Sequence, residues 1–190
     1  MSLDDLSAEE FVRTVDPSLG FCSHLQDLSF ADSRIYKVES ASTSYVLKAV
    51  SRAWRQKLVM LEGELLSLQK ANDVPNITHL VRNYGSVGDK EDRETEDGGY
   101  LVILKEFAQG QLVREITDWT MALRRRYTQQ LTRIVTALHA HGIAYLDLRD
   151  ENIITSLDYQ KITLIDFYCG GKDTPASRKQ DIKKARNLFL

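Results

Sequence analysis

Three oxygen-bearing side chains in the last third of the sequence have types and spacing that could do chemistry. Asp147 and Asn152 stand five positions apart in YLDLRDENIIT, and Asp166 directly follows the apolar run ITLI. Carboxylates with an amide oxygen, and no sulfur or imidazole among them, form a donor set for a hard cation such as Mg2+, which also takes phosphate oxygens. The chemistry this implies is phosphoryl transfer.

These groups need elements to hold them. Two strand-like runs, 153–155 and 161–165, flank the polar turn 156–160 and predict a hairpin. Before it, residues 120–141 predict a helix with apolar Met121, Leu123, Tyr127, Leu131, Ile134, Val135 and Leu138, ended by Gly142. His139 and His141 fall in its last turn without partners at metal-ligand spacing, and both read as structural. Residues 111–118 predict a short helix.

Upstream, Lys48 lies inside the apolar strand YVLKAV, where a charge needs a reason. Strands 34–38 and 45–50 flank the turn SASTS, and strands are expected again in HLVRNYGSV and YLVILKEF, on either side of the charged loop 88–99. Helix 55–71 carries Leu58, Leu61, Leu65 and Leu68, and both Glu62 and Glu64 are candidates to pair with Lys48. Gly63 between them weakens the helix by roughly 1 kcal/mol relative to Ala. At the start, residues 3–15 predict an amphipathic helix with Ser7 as N-cap and Glu10 as capping-box partner, broken by Asp16-Pro17.

A length of 190 residues suits one sizeable domain or two small lobes, and 43% hydrophobic content is that of a globular chain. A net charge of -2 argues against a general nucleic-acid binder. Cys22 and Cys169 lack the paired spacing of a zinc or redox site. With no apolar run long enough to span a bilayer and no secretion signal, the expectation is a soluble cytoplasmic or nuclear protein with no membrane or nucleic-acid partner.

The D-x-x-x-x-N spacing of Asp147 and Asn152, followed by Asp166-Phe167 after an apolar strand, resembles the catalytic loop and metal-binding segment of protein kinases. The resemblance implies ATP and Mg2+ as cofactors. Lys48 would contact the α and β phosphates, held by a glutamate of the following helix. There the family's E-x-x-L-L pattern selects Glu62. Asn152 and Asp166 would hold the metal ions, Asp147 would act as base on an acceptor hydroxyl, and Arg149 would contact the transferring phosphate. Glu106 and Ala108 fall in the hinge, where backbone groups meet the adenine edge. Lys105 would stand at the back of that pocket, where a charge is costly unless paired.

The match has departures. The phosphate-covering segment LSFADSRIYKV has no glycine, the usual His-Arg before the catalytic aspartate is Tyr145-Leu146, and Tyr168 replaces the glycine after Asp-Phe. Asp181 stands only fifteen positions after Asp166, which leaves no room for a long activation segment. That compactness is similar to small atypical kinases such as the kinase subunit of the KEOPS tRNA-modification complex and the RIO and lipopolysaccharide kinases. By that resemblance Asp181 opens a helix and braces the catalytic loop.

The expected fold is therefore α+β and two-lobed, protein-kinase-like, with an antiparallel N-lobe sheet and a truncated helical C-lobe. Its segments would be a lead-in helix over 1–27, an N-lobe over 28–108 and a reduced C-lobe over 109–190. The expected activity is ATP-dependent transfer to a hydroxyl of a protein or small molecule. One alternative is a catalytically impaired pseudokinase or regulatory module with a protein partner. Another is a small-molecule kinase of the aminoglycoside or choline type.

Overall fold

A computed structural model of the chain describes residues 3–25, 33–88, 99–167 and 173–189. The first five residues of the glycine-free segment (28–32), residues 89–98 of the charged loop, Tyr168 and Cys169 lie outside them. The chain forms two compact units, Met1–Leu65 with Leu80–Phe107 and Leu66–His79 with Ala108–Leu190.

In the first unit, helix α1 (Ala8–Val15) starts at the expected cap: Ser7 Oγ accepts the Glu10 amide, and Glu10 Oε2 accepts the Ser7 amide. Its apolar stripe buries Phe11 and Val12 completely against Tyr36, Val38, Leu47, Ala49, Tyr100 and Val102. Burial of one such side chain contributes roughly 1.5–3 kcal/mol. The segment treated as a separate lead-in thus helps to build the core of this unit. Arg34 fastens it further, donating to the carbonyls of Leu3, Asp4 and Leu6 with its guanidinium 4.6 Å from the centre of the Phe11 ring.

That core lies on a five-stranded antiparallel sheet made of β1 (Gly20–His24), β2 (Ser33–Ser40), β3 (Thr43–Ser51), β4 (Leu80–Val87) and β5 (Tyr100–Glu106). Its spatial order is β1-β2-β3-β5-β4. Ala41 and Ser42 close the β2–β3 hairpin with φ of 48° and 71°, the positive values that a two-residue turn needs to match strand twist. Helix α2 (Arg55–Lys70) follows β3.

The second unit pairs helix α3 (Met121–Ala140), capped by Thr120, with helix α4 (Pro175–Asn187). A small antiparallel sheet joins β6 (Gln111–Leu112), β7 (Ile153–Thr155) and β8 (Ile162–Leu164). The helix expected over 111–118 is absent. Gln111 and Leu112 pair instead with Thr155 and Ile154, and a single 3-10 turn, Val113–Glu115, follows. Sheet pairing outweighs local propensity here because Gly110, at φ 144°, lets the backbone approach Thr155 more closely than any Cβ would allow. Helix α4 begins six residues before Asp181, where Thr174 and Ser177 cap each other and Pro175 opens the first turn. Asp181 is therefore interior to the helix. Among the described residues no helix is long and apolar enough to cross a membrane.

Candidate active site

The first unit holds a buried ionic triad. Lys48 on β3 is in register with Ile103 of β5, and Lys105 stands two residues further along β5, so the pleat directs both lysines to one face. Lys48 Nζ donates to Glu64 Oε2 at 2.7 Å, and Lys105 Nζ donates to Glu64 Oε1. Glu64 is fully buried. Burial alone would push its carboxyl up, but the ammonium groups of Lys105 and Lys48 overcome that and hold it at about 2.

This corrects the choice of Glu62. Two positions along a helix are about 200° around it, so Glu62 and Glu64 occupy opposite faces. Glu64 shares its face with the buried Leu61 and Leu68, whereas Glu62 is exposed. Lys105 is likewise accounted for, since the pair with Glu64 offsets the cost of its burial. Glu106 ends β5 and is exposed, and the two units divide between Phe107 and Ala108.

In the second unit the loop between α3 and β7 is held from several sides. Asn152 Nδ2 donates to the Asp147 carbonyl at 3.0 Å and to Asp147 Oδ2 at 2.9 Å, so the five-residue spacing closes into a clamp. Arg149 Nε lies 3.3 Å from Asp147 Oδ1, while its guanidinium also reaches Glu151 at 3.1 Å. The Asp147 amide donates to the Tyr145 carbonyl at 2.8 Å across Leu146, whose φ is 61°. A three-residue turn with positive φ at its centre is the rare, strained form. Such strain persists only where the surroundings impose it.

Asp181 imposes it. This buried carboxylate accepts the Tyr145 amide on Oδ2 and the Leu146 amide on Oδ1, each at 2.8 Å, and Oδ2 also meets His139 Nε2 at 3.0 Å. The brace expected of Asp181 is thus formed, and it reaches past the strained turn.

Asp166 is tied to the same loop through its backbone. The Tyr145 hydroxyl donates to the carbonyls of Ile165 and Asp166, at 2.5 and 2.6 Å, and the Ile165 amide donates to the Asn152 carbonyl at 2.9 Å. Asp166 has φ 55°, left-handed like Leu146 and Tyr159 in the same segment. Sequence reasoning named Tyr145 only as a departure from a pattern. A buried tyrosine whose hydroxyl needs a partner was the available signal.

An antiparallel sheet whose buried lysine meets a helix glutamate, a strained acidic loop and a short hairpin ending in Asp-Phe are the parts of a protein-kinase-like fold. The protein kinase domain model matches residues 31–185, and the chain belongs to that family. It is 32% identical over 183 residues to a cGMP-dependent protein kinase of Toxoplasma gondii, and 38% identical over 140 residues to a cGMP-dependent protein kinase of Eimeria tenella. These alignments cover 86% and 67% of the chain. Similarity to the protein kinase gsk3 of Schizosaccharomyces pombe is 24% over 165 residues, 78% of the chain. The chain spans 16%, 12% and 40% of the length of these three relatives.

The family implies ATP and a divalent metal, and the donors present fit a hard cation. Because Asn152 commits its Nδ2 to Asp147, Oδ1 would be the atom to ligate such a cation, and Asp166 would add carboxylate oxygens. Among the described residues no group of three or more His, Cys, Asp or Glu side chains is placed to hold a metal ion.

Proposed function

We propose that the chain transfers the γ-phosphoryl group of Mg-ATP to a hydroxyl of a protein substrate, as a serine/threonine kinase does. The observation that carries this reading is the Asp147–Asn152 clamp, held behind a strained turn by Asp181. Asp147 orients the acceptor hydroxyl and takes its proton as the oxygen bonds to phosphorus and the bond to the bridging oxygen of ADP breaks. Asn152 and Asp166 would hold Mg2+, which neutralises charge on the phosphates when bound. Lys48, oriented by Glu64, holds phosphate oxygens, Arg149 contacts the transferring group, and backbone at Glu106 and Ala108 meets the base. The interval from Asp166 to Asp181 supports a compact, atypical kinase. Cys22, a free and exposed thiol, suits the reducing cytoplasm or nucleus.

The test is nucleotide-dependent melting with and without Mg2+, followed by turnover. At one hundred times its dissociation constant Mg-ATP should add about 2.7 kcal/mol, or about 5–10 °C. Asp147→Asn should lower turnover about 10²–10⁴-fold and leave that shift in place, whereas Asp166→Ala should reduce the Mg2+-dependent shift. Unchanged turnover in Asp147→Asn would remove the base assignment.

One observation favours a second reading. Glu64, the partner of Lys48, is shared with Lys105, which suits a regulatory module that uses the fold to bind a protein partner. Nucleotide-induced melting shifts without phosphate release from ATP would select it.

A further inference from the structure

Helix α4 carries five cations, Arg178, Lys179, Lys183, Lys184 and Arg186, and one acid, Asp181, which is 1% exposed and turned inward onto the loop. Its outer face therefore carries cations and no acid. Arg178, Lys179, Lys183 and Arg186 surround the half-buried Ile182, and with Asn187 they line an open cavity of about 440 Å3. Among the described residues Arg178 alone of these has a carboxylate partner, Asp173, and no acid pairs with Lys179, Lys183 or Arg186. These three recur at four- and three-residue steps, the spacing at which like charges on a helix repel. The C-terminal end of the helix dipole accounts for Arg186 but not for the two lysines further back.

We infer that this face docks an acidic segment of a partner protein, with an apolar side chain of that segment seated over Ile182. Charge complementarity supplies the sign of the occupant. The apolar floor inside a ring of cations supplies its chemistry, because a bare phosphate backbone would leave Ile182 with nothing to cover it. The occupant relieves the repulsion among Lys179, Lys183 and Arg186 and so stabilises α4. Since Asp181 is on the opposite side of that helix, docking also tightens the hold on the Tyr145 and Leu146 amides.

The probe is a fluorescent synthetic peptide of about ten residues, glutamates interrupted by leucines, titrated by anisotropy at physiological salt, where interactions between exposed charges are screened beyond about 8 Å. Saturable binding is expected. It should weaken at least about tenfold in the variant K179E/K183E/R186E, with the neutral variant K179Q/K183Q/R186Q intermediate. Replacing the leucines by serine, or Ile182→Ser in the protein, should weaken it severalfold. All three charged positions are exposed, and circular dichroism of each variant checks that it is folded. Absence of saturable binding would overturn the inference. So would equal affinity in the charge-reversed variant, or tighter binding of single-stranded RNA or of vesicles containing phosphatidylserine than of the peptide.

Discussion

Lys105 and Glu64 form an ion pair with both side chains inside the first unit, 5% and 0% exposed. Glu64 has two oxygens and gives one to each lysine, so helix α2 is joined through one carboxylate to two adjacent strands. A charge that deep is stabilising only while its partners remain.

Removing the carboxylate should therefore be costly. Glu64→Gln leaves Lys105 buried without its counter-charge and is expected to lose about 3–5 kcal/mol in urea unfolding, whereas Glu62→Gln should stay within about 0.5 kcal/mol. Lys105→Met should cost less than Glu64→Gln, because Glu64 keeps Lys48. Equal effects at positions 62 and 64 would contradict the assigned pair.

Stability should fall in acid over a definable window. Asp16 is held at about 2 by hydrogen bonds from Ser18 and Tyr84, with Arg82 adding its charge, and Glu64 lies near the same value. Both start from ordinary values of 3.8 and 4.5, so the unfolded chain binds protons more readily. Their contribution is present above about pH 4.5 and is lost as pH drops toward 2. Urea midpoints measured across this range should decline, and Asp16→Asn should flatten part of the decline below pH 3.8.

The Asp181 brace should be visible amide by amide. Asp181→Ala strands one buried and one part-buried backbone donor, at about 1–3 kcal/mol for the buried one and less for the other. Asp181→Asn keeps one acceptor oxygen and should lose about half as much. Hydrogen exchange at Tyr145 and Leu146 should accelerate in both variants, more in Ala; unchanged exchange would show that the loop holds itself.

Two glycines should respond in opposite directions. A Cβ at Gly110 would lie 1.9 Å from the Thr155 carbonyl oxygen, so Gly110→Ala should destabilise by more than about 3 kcal/mol, combining backbone strain with the clash. Nothing lies within 4 Å of a Cβ at Gly63, so Gly63→Ala should stabilise by about 1 kcal/mol. Thermal melting of both variants tests the pair.

Much of this was legible because local chemistry and tertiary need coincide. Ser7 with Glu10, and Thr120 ahead of an apolar period, specify helix starts that the fold keeps. Asp147 and Asn152 were readable as a pair because their five-residue spacing closes into a hydrogen-bonded clamp. Glu64 was a candidate from the start but ranked behind Glu62 because a family motif was preferred over helix geometry, although Leu61, Glu64 and Leu68 fall at three- and four-residue steps. The start of α4 was missed because Thr174 and Ser177 were not read as a cap. The β6 strand was illegible, since two residues pair only because Gly110 permits a close approach that no periodicity encodes.

The part of the chain matched by the kinase domain model begins at residue 31, after α1 and β1. An expression fragment trimmed to that boundary would lose Phe11, Val12 and Leu19, and with them the cover over Tyr36, Val38, Tyr100 and Val102. Such a fragment would present a greasy, half-open sheet with Arg34 stripped of its carbonyl partners, and it would precipitate.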